Sequence, residues 1–371
     1  MSSCELSVRF NDGRREYQPG DVVEGEVVAD VDKPCRCDGL KLDLFFRTHG
    51  RGNVREGERT GLELFRGDWE PGTHACRFKV RVPAGPLTYH GELLNVDWYL
   101  EARADIPWAL DPHALADFVV RRGSYRGAVA QDFVNVPDDD ARMEILGSRY
   151  PLPWVSTGRD SRTRDFRSKV FASGCLLLFL SPFLVIGGSA FVSLIRWLLG
   201  AAEGEGPAFA FVLTSVFFLG LPGGAAAYVL FRIWRSSIAE RKLGPVELEL
   251  TPRDLRPGGS ARLSLHFVPR ARAELNEVTA TLRGREIVTS GSGTSRHTYR
   301  HTLCEEGWVL ERGGSLLEGD SFEKKLEVTV PESAAPSFRV EDNRILWELE
   351  VRVDVAGWPD WLETREITIQ A

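Results

Sequence analysis

The sequence predicts an all-β protein with membrane helices: two β-sandwiches joined through a transmembrane α-hairpin. Three observations carry this prediction. The outer parts of the chain alternate apolar and polar residues over short runs bounded by Pro and Gly, the middle holds two long uncharged runs, and the outer parts repeat one another in register. With 371 residues, 43% hydrophobic and 27% charged, the chain has a folded composition with room for two domains, which excludes disorder and collagen. Lys+Arg 46 against Asp+Glu 53 gives a net charge of -7, so no basic surface dominates and no nucleic-acid partner is expected.

Period-two alternation appears at Leu40, Leu42, Leu44 and Phe46, at Phe78, Val80 and Val82, and at Leu326, Val328 and Val330. Such runs read as antiparallel strands with one buried face, and many of them at short spacing read as sandwiches. Pro19-Gly20 opens one strand and Pro257-Gly258 another. In a single ungapped frame Trp98 matches Trp347, Leu100 matches Leu349, Glu101 matches Glu350, Arg103 matches Arg352 and Asp105 matches Asp354. Alternation alone does not place a tryptophan and three charged residues in register, so the two parts are copies of one unit. Upstream, Pro86 and Tyr89 are paired with Pro336 and Phe338 by allowing one gap.

Residues 170–195 contain no charge, nor do residues 207–231. A bilayer core of roughly 30 Å needs about 20 helical residues, so each run is long enough to span. Trp197 and Trp234 stand at run ends, where amphipathic rings favour the headgroup level. Arg167 and Lys169 precede the first run, and Arg232 and Arg235 follow the second, so both outer flanks form the positive, cytoplasmic side. The N-terminus has no apolar stretch of signal-peptide type, which agrees with that orientation. Pro182 and Pro222 are expected to kink their runs, and Gly220 with Gly224 to support close helix packing.

The stretch 17–28, YQPGDVVEGEVV, resembles the PGD-x-V-x-G-x-V strand of the arrestin family. Residues 78–102, with V-x-V-P, P-x-x-Y-x-G and V-x-W-Y-L-x-A, are similar to the long central segment of that fold, and Pro107-Trp108 through Phe118-Val119-Val120 resembles its continuation. The resemblance covers most of residues 1–122 and, more faintly, 245–371. It implies two tandem immunoglobulin-like sandwiches that act without catalysis, binding receptors, cargo or other proteins on the cytoplasmic face of a membrane. Here the hairpin replaces the short hinge of the family, which puts the packing of one sandwich on the other in question. The chain also has no PPxY motif and runs to Ala371 without a tail after the last strand pattern, so activation by tail release does not carry over.

The expected organisation is therefore an arrestin-like sandwich over 1–136, with a strand at 132–136, and a polar and basic linker over 137–169. A first transmembrane helix over 170–199, an external loop over 200–206 and a second helix over 207–233 follow, then a basic linker over 234–244 and the second sandwich over 245–371.

A search for chemistry finds no GxSxG, HExxH, Walker loop or GxGxxG after a strand, so neither enzyme activity nor a cofactor is expected. Cys35-x-Cys37 is too short a pair for a zinc site, and the six cysteines read as free thiols of a reducing compartment. His297 and His301 share a strand face but stand roughly 13 Å apart, too far to chelate one ion. Asp138-Asp139-Asp140 reads as polar linker. Trp108 in one copy, and Trp358 with Trp361 in the other, follow matching long strands and are the candidate interaction loops, with plugging of the sandwich ends as the structural alternative.

Arg outnumbers Lys 39 to 7, a bias expected of a GC-rich bacterial genome. The functional expectation is a membrane-anchored adaptor or scaffold, integral to a bacterial inner membrane with both termini cytoplasmic. Its partners are the bilayer and a cytoplasmic or membrane protein. The alternative is a structural or stress-response protein that self-associates into a homo-oligomer through the hairpin.

Overall fold

The computed structural model describes residues 4–107, 111–122, 161–199 and 208–370. Trp108, the strand expected at 132–136, the Asp138-Asp139-Asp140 run and the loop 200–206 lie outside the described residues.

Each outer part folds as two facing sheets, and the two parts share one topology. In the first, Cys4–Phe10, Val22–Val31 and Gly72–Arg81 form the smaller sheet. The larger sheet runs Glu16–Tyr17, His113–Val120, Leu94–Asp105, Cys35–Gly50 and Arg55–Glu56, with Thr60–Trp69 also on Cys35–Gly50 and Tyr89–His90 on Leu94–Asp105. In the second, Glu247–Thr251, Ser260–Phe267 and Phe322–Thr329 form the smaller sheet. Asp254–Leu255, Trp361–Ile369, Asn343–Val355, Ala273–Ser290 and His297–Glu311 form the larger, in the same order.

The alternating residues do what their period requires. Leu40, Leu42, Leu44, Phe46, Phe78, Val80, Val82, Val328 and Val330 are buried between sheets, and Leu326 packs partly buried beside them. The repeat extends to single hydrogen bonds. The Trp98 indole N–H donates to the Pro86 carbonyl at 2.8 Å, and the Trp347 indole to the Ala335 carbonyl at 2.9 Å. Both acceptors lie twelve residues upstream of their tryptophan. Pro86 is therefore the counterpart of Ala335, not Pro336, and the gap expected from the sequence is not there: a buried indole N–H must find an acceptor, and that requirement fixes the frame.

Between the sandwiches lies a helical hairpin. One helix, Ser161–Leu198, contains Pro182 and bends by 50° between Val170–Phe183 and Val185–Leu198. The other rises through Ala208–Ser215, a π-helical turn Val216–Gly220, and Leu221–Leu243. Pro222 has no N–H for the carbonyl of Phe218 four residues back, and the backbone widens at that turn. By length and composition Val212–Phe231 suffices to cross a bilayer, whereas the first run qualifies only as a bent pair taken as one span. The Trp234 indole donates to Ser173 Oγ at 3.0 Å and Phe183 meets Phe218 at 6.2 Å, tying the two helices side by side.

Two expectations about the linkers need correction. Residues 161–169, read as linker, are helix, and 234–244, read as a basic linker, continue the second helix to Leu243. The physical reason is a one-sided stripe: Ala239 and Leu243, four residues apart, are fully buried with Val246 in the core of the second sandwich. The charges of Glu240, Arg241 and Lys242 between them mask this face in a composition-based reading.

Candidate functional site

The structure offers two assembled sites: the seam between the sandwiches, and the junction between the second helix and the second sandwich. At the seam the cross-strand register makes Thr48 the counterpart of Glu286, because Thr48 opposes Val96 as Glu286 opposes Ile345. Both positions are buried, and both are polar. Asn343 of the second sandwich donates from Nδ2 to Thr48 Oγ1 at 2.9 Å and to the Asn53 carbonyl at 2.8 Å. Reciprocally, Glu286 accepts the Leu93 N–H at 2.7 Å and the Tyr89 hydroxyl from the first sandwich. The two copies thus grip one another through equivalent positions in a pseudo-twofold manner.

Further contacts complete the seam. Asn53 exchanges two bonds of 3.0 Å with the Gly291 backbone, and its own N–H donates to the Thr289 carbonyl at 2.8 Å. Arg55 pairs with Glu341, the Arg51 guanidinium lies 4.3 Å from the Tyr299 ring centre, and Phe46 meets Phe338 edge-on at 6.0 Å. Gly91 touches the Glu286 carboxylate so closely that no Cβ fits. Burial, followed by the adjacent Glu286 carboxylate, pushes the Tyr89 hydroxyl well above the ordinary phenol range, so at any physiological pH it serves Glu286 as a donor.

At the junction Ser236 Oγ donates to the Leu362 carbonyl at 2.9 Å and accepts the Leu362 N–H at 3.3 Å. Trp361 donates to Glu240 Oε1 at 3.2 Å, and Trp358 donates to the Ile238 carbonyl at 3.2 Å with Lys242 over its ring. The helix ends at Gly244, whose φ of 75° suits glycine, and a Cβ there would strike the Val268 carbonyl. Trp361, expected at a binding loop, is buried in this junction and is not presented to a partner. Trp358 is held to the helix by its indole N–H and remains partly exposed, at 41%.

Of the other singled-out residues, Trp197 is exposed near the end of the first helix, and Trp234 and Arg235 are half-buried on the second. Arg167, Lys169 and Arg232 lie on helical backbone, their side chains outside the described set. His297 and His301 occupy the outermost strand of the second sandwich, paired with Ser290 and Glu286. Among the described residues no three His, Cys, Asp or Glu side chains converge to hold a metal. The Cys4 and Cys37 thiols are pushed up to about 11, chiefly by burial, and all six cysteines are free.

Sequence reasoning missed Asn53, Glu286 and Asn343. Polar residues in an alternating strand read as the solvent face, and Asn343 stands where the first copy has the apolar Leu94. That exchange of Leu for Asn at matched positions was the available signal.

No family model and no curated protein matches the sequence. The chain is similar to the crystal structure of Spo0M, sporulation control protein, from Bacillus subtilis, with 13% identity and a TM-score of 0.28. The match covers 34% of this chain and 49% of that one, so the chain spans about half the length of that structure. A likeness of this size carries no argument, and the two-sandwich architecture stands on the topology above.

Proposed function

We propose that this protein is a membrane-anchored, non-catalytic adaptor of arrestin type, holding its two sandwiches on the cytoplasmic face of a bacterial inner membrane to bind a cytoplasmic or membrane protein. The observation that carries the reading is the hairpin's surface. Phe171, Leu178, Phe179, Val185, Leu213 and Phe217 all project into solvent from the apolar runs of the hairpin, an apolar area that water does not tolerate on a free protein. Arg167, Lys169, Arg232 and Arg235 would then flank the hairpin in the headgroup zone, where each basic residue adds on the order of 1 kcal/mol. Anchoring replaces recruitment: the sandwiches stay at high effective concentration for any membrane-bound partner.

The experiment is topology mapping in intact cells, with one reporter fused at Ala371 and another inserted near Glu203. The proposal expects Ala371 inside and Glu203 outside. An external Ala371 would turn the sandwiches into surface modules and end the adaptor reading. Self-association through the hairpin is the second reading, favoured by Gly223 and Gly224, which have open space where a Cβ would stand. Cross-linking in native membranes decides it, since an obligate monomer removes it.

A further inference from the structure

The larger sheet of the second sandwich ends in an open edge. Its outermost strand, His297–Glu311, pairs along one side with Ala273–Ser290, and among the described residues no strand pairs with its other side. A run of 15 residues with free N–H and C=O groups is an attachment line that folded proteins normally shorten or block. The matching edge of the first sandwich is broken into Arg55–Glu56 and Thr60–Trp69, and its charges are paired within the copy: Arg47 and Arg59 with Glu56, Arg66 with Glu63.

On the open edge the charges are sorted along the strand. His297, Arg300 and His301 stand in its first half, Glu305, Glu306 and Glu311 in its second. Glu305 meets Arg283 and Glu311 meets Lys324, whereas Arg300, His301 and Glu306 have no ion-pair partner among the described residues. The register skips Leu303, and this bulge turns the strand over. Arg300 and Glu305 then share one face, opposing Ile287 and Arg283, while His301 and Glu306 share the other, opposing Glu286 and Leu282. A strand with basic groups first and acidic groups last is complementary to its own antiparallel copy. Turned about a twofold axis between Leu303 and Cys304, it sets His301 directly opposite Glu306 and Arg300 diagonal to Glu305, each of them twice.

The anchor permits this pairing. The helix Leu221–Leu243 meets the larger sheet at Ser236, bonded to Leu362, and the chain reaches the smaller sheet at Gly244, beside the Val268 carbonyl just past the strand Ser260–Phe267. From Ser236 to Gly244 the rise is about 12 Å, against roughly 10 Å between packed sheets. The helix end therefore runs from sheet to sheet across the open end of the sandwich, closer to the sheet normal than to the strands. Two antiparallel copies of one edge strand are related by an axis that also stands along the sheet normal. Both hairpins then point the same way, into one bilayer.

We infer that the edge His297–Glu311 docks on the same edge of a second copy of this chain, continuing the larger sheet across a twofold axis parallel to the membrane normal. The orientation of the pair rests on the membrane reading above; the edge contact does not. Self-association through the hairpin would leave this edge open.

The test uses the full chain in its native membranes, with the exposed Cys175 and the edge Cys304 changed to Ser. His301→Cys and Glu306→Cys are placed together in one chain, where roughly 16 Å of strand separates them and no internal bridge can close. Between docked copies they face each other, and a mild thiol oxidant should convert most of the chain to covalent dimer, while the parent without the two new cysteines stays unlinked. Separately, Glu306→Arg should lower the dimer fraction in mild detergent about tenfold. Adding His301→Glu should restore it, a rescue that a damaged fold would not show. A chain that stays monomeric overturns the edge contact, and so does a dimer that neither links through the two cysteines nor responds to Glu306→Arg. Release of the chain from membranes by alkaline carbonate overturns the membrane reading alone, and the same two experiments on the released protein still decide the edge.

Discussion

The last strand of the second sandwich opens with Trp361, buried against the helix Leu221–Leu243. The register of the two large sheets places Pro112 at the same position of the first sandwich, where its carbonyl simply accepts the Ala104 N–H within its own sheet at 3.1 Å. One fold has thus been used twice with different fittings: the second copy is welded to the helix, and the first is held by its polar seam with the second. The shared strands supply stability, and the few positions that differ decide which copy is fixed and which is docked.

The largest effect should come from breaking the weld. Trp361→Ala removes a buried indole and should cost about 3–5 kcal/mol, lowering the unfolding midpoint of the second sandwich while leaving that of the first in place. Denaturant titration read by domain-specific probes checks this, and equal loss in both copies would erase the distinction.

Next is the seam. Glu286→Ala leaves the Tyr89 hydroxyl and the Leu93 N–H buried without their acceptor, a loss of about 2–3 kcal/mol, whereas Thr48→Ala at the matching position should cost about 1 kcal/mol. Distance measurements between labels on the two sandwiches should show separation for the first variant and little for the second. Gly244→Ala meets both an unfavourable φ and the Val268 carbonyl, and should cost about 1–3 kcal/mol, confined to the second sandwich and its helix.

A further contrast between the copies is alkaline. Cys4 and Cys37 are raised from 9.0 to about 11 by folding, so the folded state keeps protons that the unfolded state releases. Their contribution is full below pH 9 and is lost as pH rises through 11. The second sandwich carries only Cys304 of this kind, also raised by burial. Alkaline unfolding monitored in each copy should therefore show the first losing more between those values.

How far the sequence speaks is visible in single residues. Trp98 and Trp347 announce the repeat because a large residue in a fixed frame cannot arise from alternation. Ala239 and Leu243 stay hidden because two apolar residues among charges look like linker until a sandwich is set against them. Glu286 is harder still, since a carboxylate inside a strand pattern looks outward, and only the other copy's Tyr89 and Leu93, nearly two hundred residues away in the chain, make it an inward one.

The seam also orders events in the making of the protein. Thr48 and Asn343, its buried pair, are 295 residues apart, with the whole hairpin between them. At a synthesis rate of about 5–20 residues per second, roughly 15–60 s pass before the second half of the clasp leaves the ribosome. Through that interval the first sandwich has no second copy to clasp, and Phe46, Thr48 and the Tyr89 loop face solvent until the chain beyond Asn343 has been made.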